Sequence, residues 1–480
     1  MGNIEFNVKP YKGPKTRRTA KILFVLAAIT FLIFSPFLGA PKHMGSNGMP
    51  ALALFLLSVA LWGTKLIPPA ITSMIVIVMS PLLGILDFKA VAGGLGNEVI
   101  WLIIAMLMMG TAMEEHSVDK RIAYNILIAA RGSVRKTVVL FIVTSFVLTF
   151  FIPNAMGRVS VLLPIAIGLV KCIDSRYGNV HKLIMLTITF VPYITTISLI
   201  TSAGGSIYAA GLFNSLLGFE WNYFGWMLLM LPIVFATLIL FGITLVRMFP
   251  PEISIINGNL GYFYEERRKL GFISFSEIKL LVLYLMLFIL WVTKGITHMS
   301  IAMSAVLVSI LLFLPGINIL EWKSTVKKID WGIPFIFAAG FAIANTLERG
   351  GVIQWIFYGK RYVETLPVSG LVLVTMLGFI LIRIGFTNYT AMVAAFLPVA
   401  FKLAEGASYN PIWFGMVCTI ASSIGYLLPS QTVGGMTVFA LGFYDMKDFF
   451  VTGFILTIII MVVTLLAAFF YWPLMGLNVY

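Results

Sequence analysis

The chain is 480 residues long, 60% hydrophobic and only 11% charged, yet its formal net charge is +14. A soluble domain carries about 25% charged residues, so this composition, with a mean hydropathy of +1.00, excludes a water-soluble globular protein and predicts an all-α polytopic membrane protein. In that setting the excess of 33 Lys and Arg over 19 Asp and Glu reads first as orientation charge on cytoplasmic loops, not as a nucleic-acid surface.

Residues 1–21, with Lys9, Lys12, Lys15, Arg17, Arg18 and Lys21, precede an apolar run from Ile22 to Leu38 that lacks a small-residue cleavage pattern. They read as a cytoplasmic tail before a first span. Apolar runs follow at 51–68, 69–86, 99–113, 183–218, 223–248, 279–297, 300–315, 331–347, 411–443 and 449–475. Together they predict about 11 transmembrane helices, since a spanning helix needs about 20 residues. Two regions do not fit single spans. Segments 137–152 and 159–170 are joined by Pro153-Asn154-Ala155-Met156-Gly157-Arg158, and segments 370–384 and 391–403 by Gly385-Phe386-Thr387-Asn388-Tyr389-Thr390. Pieces of about 12–16 residues reach about 18–24 Å at 1.5 Å per residue, short of the roughly 30 Å hydrocarbon core. They predict two re-entrant hairpins, 136–171 and 368–404, with polar tips inside the membrane.

The two regions resemble each other. Asn154 precedes Leu163-Pro164 with the spacing that separates Asn388 from Leu397-Pro398, and the interval is 388 − 154 = 234. The same shift carries Glu114 onto Glu348. Each hairpin is followed by a long apolar segment, 183–218 and 411–443, interrupted by small and polar residues: Thr201-Ser202-Ala203-Gly204-Gly205-Ser206 and Pro429-Ser430-Gln431-Thr432-Val433-Gly434-Gly435. Small residues also serve close helix packing, but paired at equivalent places in two halves they point to a binding site built from broken helices.

An inverted repeat follows: a first half at 22–248, a cytoplasmic loop at 249–278, and a second half at 279–480. The N-terminus lies inside and the C-terminus outside, in a plasma (inner) membrane. On this topology 24 Lys and Arg are cytoplasmic: six in the tail, Lys65, five from Lys120 to Lys136, three from Lys171 to Lys182, five from Arg247 to Lys279, three from Lys323 to Lys328, and Lys447. Seven lie outside: Lys42, Lys89, Lys294, Arg349, Lys360, Arg361 and Lys402. The bias agrees with the positive-inside rule and leaves two basic residues over, Arg158 and Arg383.

An Arg at membrane depth costs about 2.5–3.5 kcal/mol on insertion scales, so its retention is a functional expectation. Arg383 falls in the last turn of a half-helix, where the dipole favours a cation; Arg158 falls in a first turn, where it does not, and so calls for an anion nearby. The middle of every apolar run is free of carboxylates, which argues against a proton pump or a cation pore. An anionic substrate supplies the missing charge. Two half-helix N-termini, the polar groups of Asn154, Thr387, Asn388, Thr390, Ser202 and Thr432, and two arginines suit a multiply charged anion.

The repeated Asn tip and the run Leu428-Pro429-Ser430-Gln431-Thr432-Val433-Gly434-Gly435-Met436-Thr437-Val438-Phe439 resemble the divalent anion:sodium symporter family of di- and tricarboxylate and sulfate transporters. The resemblance covers roughly 50–475. It implies a non-enzymatic transporter, a homodimer and an elevator motion. It also implies tips that contact substrate carboxylates through Ser-Asn-Thr motifs, with sodium ions between each tip and the following helix break. Carried over, the substrate-binding residues are Asn154, Ala155, Arg158, Ser202, Gly205, Thr387, Asn388, Thr390, Gln431, Thr432 and Val433, and the cation sites or their surrogates are Pro153, Gly204, Arg383 and Ser430. The sequence departs from the family at Pro153, Ala155 and Tyr389, where the expected hydroxyls are missing or displaced, and at Val433-Gly434-Gly435, which replace Pro-Pro-Asn. Lost oxygen ligands and gained guanidinium groups lead to the expectation of sodium-independent exchange of di- or tricarboxylates, with arginines in place of coupling cations. The alternative is a sodium-coupled symporter of dicarboxylates, citrate or sulfate.

The remaining features are structural. His43, His116, His181 and His298 lack metal-ligand spacing, Cys172 and Cys418 are far apart, and Trp221, Tyr223, Trp322 and Trp331 mark an interfacial belt. Glu265-Glu266-Arg267-Arg268-Lys269 reads as a solvated cytoplasmic cap. No metal, cofactor or nucleic-acid partner is expected beyond sodium, a small anion and the lipid bilayer.

Overall fold

The computed structural model describes residues 15–64, 66–256, 259–352, 355, 367–386 and 388–480. Thr387 and most of the expected tail lie outside them. Among the described residues the chain is helical throughout, without a β-strand apart from an isolated bridge between Ser133 and Ile255. It is an all-α polytopic membrane protein.

Helices start where a short polar side chain can accept an N–H that the first turn leaves unpaired. Asn97 caps Glu98–Glu115 through the Val99 N–H at 3.0 Å, Ser274 and Glu277 form a reciprocal box at the start of Phe275–Val292, and Asn410 caps Pro411–Ser423. Between the caps the sequence is almost uniformly apolar. Among the described residues four helices are long and apolar enough to cross a membrane alone: Gly178–Ile197, Tyr223–Met248, Phe275–Val292 and Met446–Leu474. Two bent pairs, Phe88–Gly96 with Glu98–Glu115 and Trp322–Lys328 with Gly332–Arg349, bring this to six if each is one span. The other apolar helices, including Gly48–Thr64 and Pro69–Leu82, have 10–17 residues.

Both expected hairpins are helix pairs, Val134–Leu148 with Ala155–Lys171 and Val368–Arg383 with Tyr389–Gly406. Their returning legs begin earlier than the apolar runs at 159 and 391, because Asn154 and Asn388 cap them at the tips. The two long segments are each broken: Gly178–Ile194 gives way to short 3₁₀ turns before Gly204–Leu217, and Pro411–Ser423 to another before Val433–Phe439. Helix starts at Phe88 and Trp322, Glu98 and Gly332, Val134 and Val368, and Ala155 and Tyr389 are all separated by the interval that parts the two tip asparagines.

The segment 249–278 departs from the simple loop expected. It contains a helix, Asn259–Lys269, whose Tyr262 fits against Gly168 so closely that a Cβ there would lie 1.9 Å from the phenol oxygen. The basic end of the expected cap is that helix's last turn, where Arg267, Arg268 and Lys269 meet the negative end of its dipole.

Ion pairs among the described residues join the ends of different helices. Arg121 forks onto Glu277 and onto the carbonyls of Leu270, Gly271 and Phe272, while Lys328 pairs with Glu115 and Lys182 with Asp448. Lys294 pairs with Glu220, Lys402 lies 4.0 Å from Glu348, and the Gly45 N–H donates to the Gly350 carbonyl.

Asp119 stands apart. It opens the short helix Val118–Leu127, is 1% exposed, and accepts its neighbour's N–H, from Lys120 at 2.7 Å. Burial, reinforced by the Glu114 charge and opposed by that N–H, pushes its carboxyl up to about 6. Because the folded chain holds the proton more tightly than the unfolded one, folding loses stability as pH rises from about 4 to 6, and the full cost is present above that. Asp119→Asn removes the charge. It is expected to raise the melting temperature at pH 8, for a gain on the order of 3 kcal/mol at ~1.4 kcal/mol per pKa unit, and to leave it unchanged at pH 4. Equal effects at both pH values would contradict the charge origin.

Candidate functional site

The tips and breaks converge on one cavity of about 460 Å³. Asn154, Ala155 and Met156 line it from the first tip, and Arg383, Asn388, Tyr389 and Thr390 from the second. The first break adds Tyr193, Thr196, Ala203, Gly204 and Gly205; the second adds Ser423 and Val433. Pro68, Pro69 and Asp330 complete the lining with the start of Gly332–Arg349.

The tips share one local design. Asn154 and Asn388 have extended backbones, and each turns its Oδ1 to accept the N–H two residues on, from Met156 at 3.0 Å and Thr390 at 2.8 Å. This capping uses the carbonyl oxygen of each amide and leaves the Nδ2 hydrogens as donors. The unpaired N–H groups and positive dipole ends of Ala155–Lys171 and Tyr389–Gly406 therefore start at the cavity wall. Gly204–Leu217 and Val433–Phe439 begin at the same wall, the second capped by Thr432 Oγ1 on the Gly435 N–H at 3.1 Å.

The two arginines occupy parallel positions with different exposure to the cavity. Arg383 is 2% exposed and lines it; Nε donates to the Ser422 carbonyl at 3.1 Å and Nη1 to the Phe386 carbonyl. Ser422 is in the last turn of Pro411–Ser423, so the guanidinium satisfies a carbonyl that the helix end leaves open. Arg158 is fully buried and is not among the lining residues. It donates to Ile152 at 2.7 Å, Ser202 at 2.9 Å and Pro192 at 2.7 Å. Pro192 lies in the last turn of Gly178–Ile194. The expected demand of Arg158 for an anion is thus met in part by carbonyls: it sits at a helix N-terminus but also at the C-terminal end of its neighbour, whose dipole favours it. Its Nε has no hydrogen-bond partner among the described residues, and no carboxylate pairs with it among them.

Cross-contacts tie the two halves together. The Tyr389 ring lies over Gly205, where a Cβ would be 2.2 Å from it, and its hydroxyl is 3.4 Å from Ser206 Oγ. A hydroxyl absent from the expected tip position thus returns at the end of a longer side chain. Tyr193 reaches the second break, accepting the Gly434 N–H at 2.7 Å.

Of the expected site residues, Asn154, Ala155, Gly204, Gly205, Arg383, Asn388, Thr390 and Val433 line the cavity. Pro153, Arg158, Ser202, Ser430, Gln431 and Thr432 do not. Ser202 Oγ is turned to the carbonyls of Leu199 and Thr196, and Gln431 Oε1 to the Leu428 N–H at 2.7 Å, so both brace breaks from behind. Thr387 is outside the described residues. Met156, Tyr193, Thr196, Tyr389, Ser423, Pro68, Pro69 and Asp330 were not foreseen. Tyr389 had a signal, its place directly after Asn388; Tyr193 had a weaker one, next to Pro192 ahead of the first break.

Residues 17–478 match the family model described as sodium:sulfate symporter transmembrane region. The sodium-dependent dicarboxylate transporter SdcS of Staphylococcus saprophyticus is 25% identical over 485 residues, covering 95% of this chain and 91% of that protein. SdcS of Staphylococcus aureus is 24% identical with the same coverage, and a membrane protein of Cupriavidus necator is 24% identical over 94% of this chain and 92% of its own. The solved structure of Neisseria gonorrhoeae MtrF, from a class of antimetabolite efflux pumps, aligns with a TM-score of 0.55 over 94% of each chain at 12% identity. At that identity it shows a shared fold and nothing about substrate.

Proposed function

The chain belongs to the sodium:sulfate symporter family, and from that premise we propose that it is a secondary active transporter that binds a dicarboxylate dianion between the two tips. The observation that carries this reading is the convergence of two Asn-capped helix N-termini and the Arg383 guanidinium on one cavity. A dianion would receive N–H donors from both tips and a fixed positive charge from Arg383. A cavity of about 460 Å³ falls within the roughly 300–1,000 Å³ of small-molecule sites. The names of the SdcS relatives favour dicarboxylate over sulfate.

About eleven spans and two re-entrant hairpins form the inverted repeat of this reading, with the N-terminus cytoplasmic and the C-terminus outside. The bundle's polar contacts support it: Arg121 with Glu277, Lys328 with Glu115 and Lys182 with Asp448 join segments assigned to the cytoplasm, while Lys294 with Glu220 and Lys402 with Glu348 join segments assigned outside. Pro68, Pro69 and Asp330, which line the cavity, adjoin segments assigned to the cytoplasm in this topology, which supports an inward-facing arrangement. Movement of tips and breaks as one body, in a homodimer, rests on the family resemblance.

For coupling, the relatives' printed names put sodium-driven symport first, ahead of the exchange expected from the sequence. One observation favours exchange as a second reading. Arg158 and Arg383 occupy the ground between tip and break and bind the carbonyls of Ile152, Ser202, Pro192, Ser422 and Phe386, oxygens that a cation there would otherwise use. Uptake of radiolabelled succinate into proteoliposomes, with sodium replaced by choline and with or without internal succinate, separates the two. Symport predicts uptake that collapses in choline. Unchanged uptake in choline that depends on internal succinate would establish exchange.

A further inference from the structure

A second concave feature lies away from the transport cavity. The first hairpin leg, Val134–Leu148, and the long helix Tyr223–Met248 enclose a groove of about 710 Å³ with almost wholly apolar walls. Its shape sets it apart from ordinary lipid-facing surface. The floor is closed where the absent side chain of Gly242 lets Ile142 approach, the Ile142 Cδ1 lying 3.1 Å from where a Cβ would be. One end is closed by the rings of Phe146 and Phe235, 4.8 Å apart between centroids. Its side walls stay open: Val139 is 55% exposed and Ile239 61%.

The other end carries charge. Arg135, in the first turn of the leg, and Arg247, in the last turn of the long helix, both line the groove and both are exposed. Among the described residues neither has an ion pair, and no acidic residue lines the groove. From Phe235 to Arg247 the helix rises about 18 Å, close to one leaflet of a hydrocarbon core roughly 30 Å thick. The volume is that of a ligand site and not of a packing fault, which would be far smaller.

We propose that this groove holds one acyl chain of an anionic phospholipid whose phosphate is bound between Arg135 and Arg247. Two guanidinium groups at the headgroup level, a dry channel one leaflet long and a blocked inner end fit a phospholipid better than a soluble anion, which would have no use for the channel. The wall formed by Val134–Leu148 leads directly into the first tip, so an occupying lipid fixes the angle at which that tip is presented. Transport then responds to the anionic lipid content of the leaflet that holds the arginines, which is the cytoplasmic one in the topology proposed above. The binding itself does not depend on that topology or on the substrate assignment.

The test is lipid retention by the purified full chain in native mass spectrometry, using phosphatidylglycerol and phosphatidylcholine with identical acyl chains. Phosphatidylglycerol is expected to be retained at least about tenfold better, from two cationic contacts at the membrane surface. Arg135→Gln combined with Arg247→Gln removes that preference. Ile239→Trp, which fills the channel and leaves both charges, lowers retention of both lipids, and Lys136→Gln, beside the groove but not in its lining, changes neither. The proposal is overturned if the wild-type chain shows no preference, if the double variant keeps it, or if Ile239→Trp leaves retention unchanged.

Discussion

Arg383→Gln is expected to lower the initial rate of dicarboxylate uptake by about 100-fold, the scale of a charge-assisted contact of about 3 kcal/mol. Among the described residues that line the cavity Arg383 is the one cation, and the one acid, Asp330, turns its Oδ1 to the Gly332 N–H. A dianion entering this site loses hydration, and no other described side chain in the lining carries a compensating positive charge. Gln keeps some hydrogen bonding toward the Ser422 and Phe386 carbonyls while removing the charge. Arg383→Lys restores the charge but not the planar fork that spans two carbonyls, so it should recover part of the rate. The check is uptake at matched protein density in the bilayer, with a monoanion as reference. A normal dicarboxylate rate in Arg383→Gln would return the residue to a purely structural role.

Gly453→Ala is expected to destabilise the chain by about 3 kcal/mol or more, the upper range for overpacking. A Cβ at this position would stand 1.8 Å from the Tyr426 carbonyl oxygen and 2.8 Å from its carbon. Both are backbone atoms at the second helix break, so no side-chain rotation relieves the clash. The helix Met446–Leu466 would have to back away, opening the contact between the Phe190 and Phe449 rings, now 4.9 Å apart between centroids. Gly295→Ala is the control, since nothing lies within 4 Å of a Cβ there. Melting of the two purified variants decides: a large drop for Gly453→Ala with none for Gly295→Ala is predicted, and equal melting would mean that the break tolerates the shift.

The sequence shows the cavity's outline better than its lining. Asn154 and Asn388 are legible because a capping amide at a fixed distance from a Leu-Pro pair recurs once in each half, and the physics of capping then places a helix start behind each. Arg383 is legible because it fits neither side of the membrane. What cannot be read is the direction of a side chain at a bend. Arg158 and Asn154 are four residues apart, yet one turns back onto carbonyls and the other faces the cavity. Ser202 and Ala203 are neighbours, and only the second lines it. Asn154 and Ala203 have extended backbones and Ser202 closes a 3₁₀ turn, so helical periodicity does not set these directions and the packing behind each bend does. The lining residues Pro68, Pro69 and Asp330 come from elements that local sequence does not connect to the tips. They meet the cavity only through the packing of Gly332–Arg349 against Tyr389–Gly406 and Pro69–Leu82.

The central claim is that the cavity between the two tips carries a dicarboxylate across the membrane. Its most direct test is time-resolved uptake of radiolabelled succinate by proteoliposomes of the wild-type chain, in sodium and with internal succinate both present, against protein-free liposomes. The expected result is saturable uptake that unlabelled four-carbon dicarboxylates abolish and monocarboxylates leave intact. Uptake no greater than that of protein-free liposomes, or uptake equally inhibited by monocarboxylates, would contradict it.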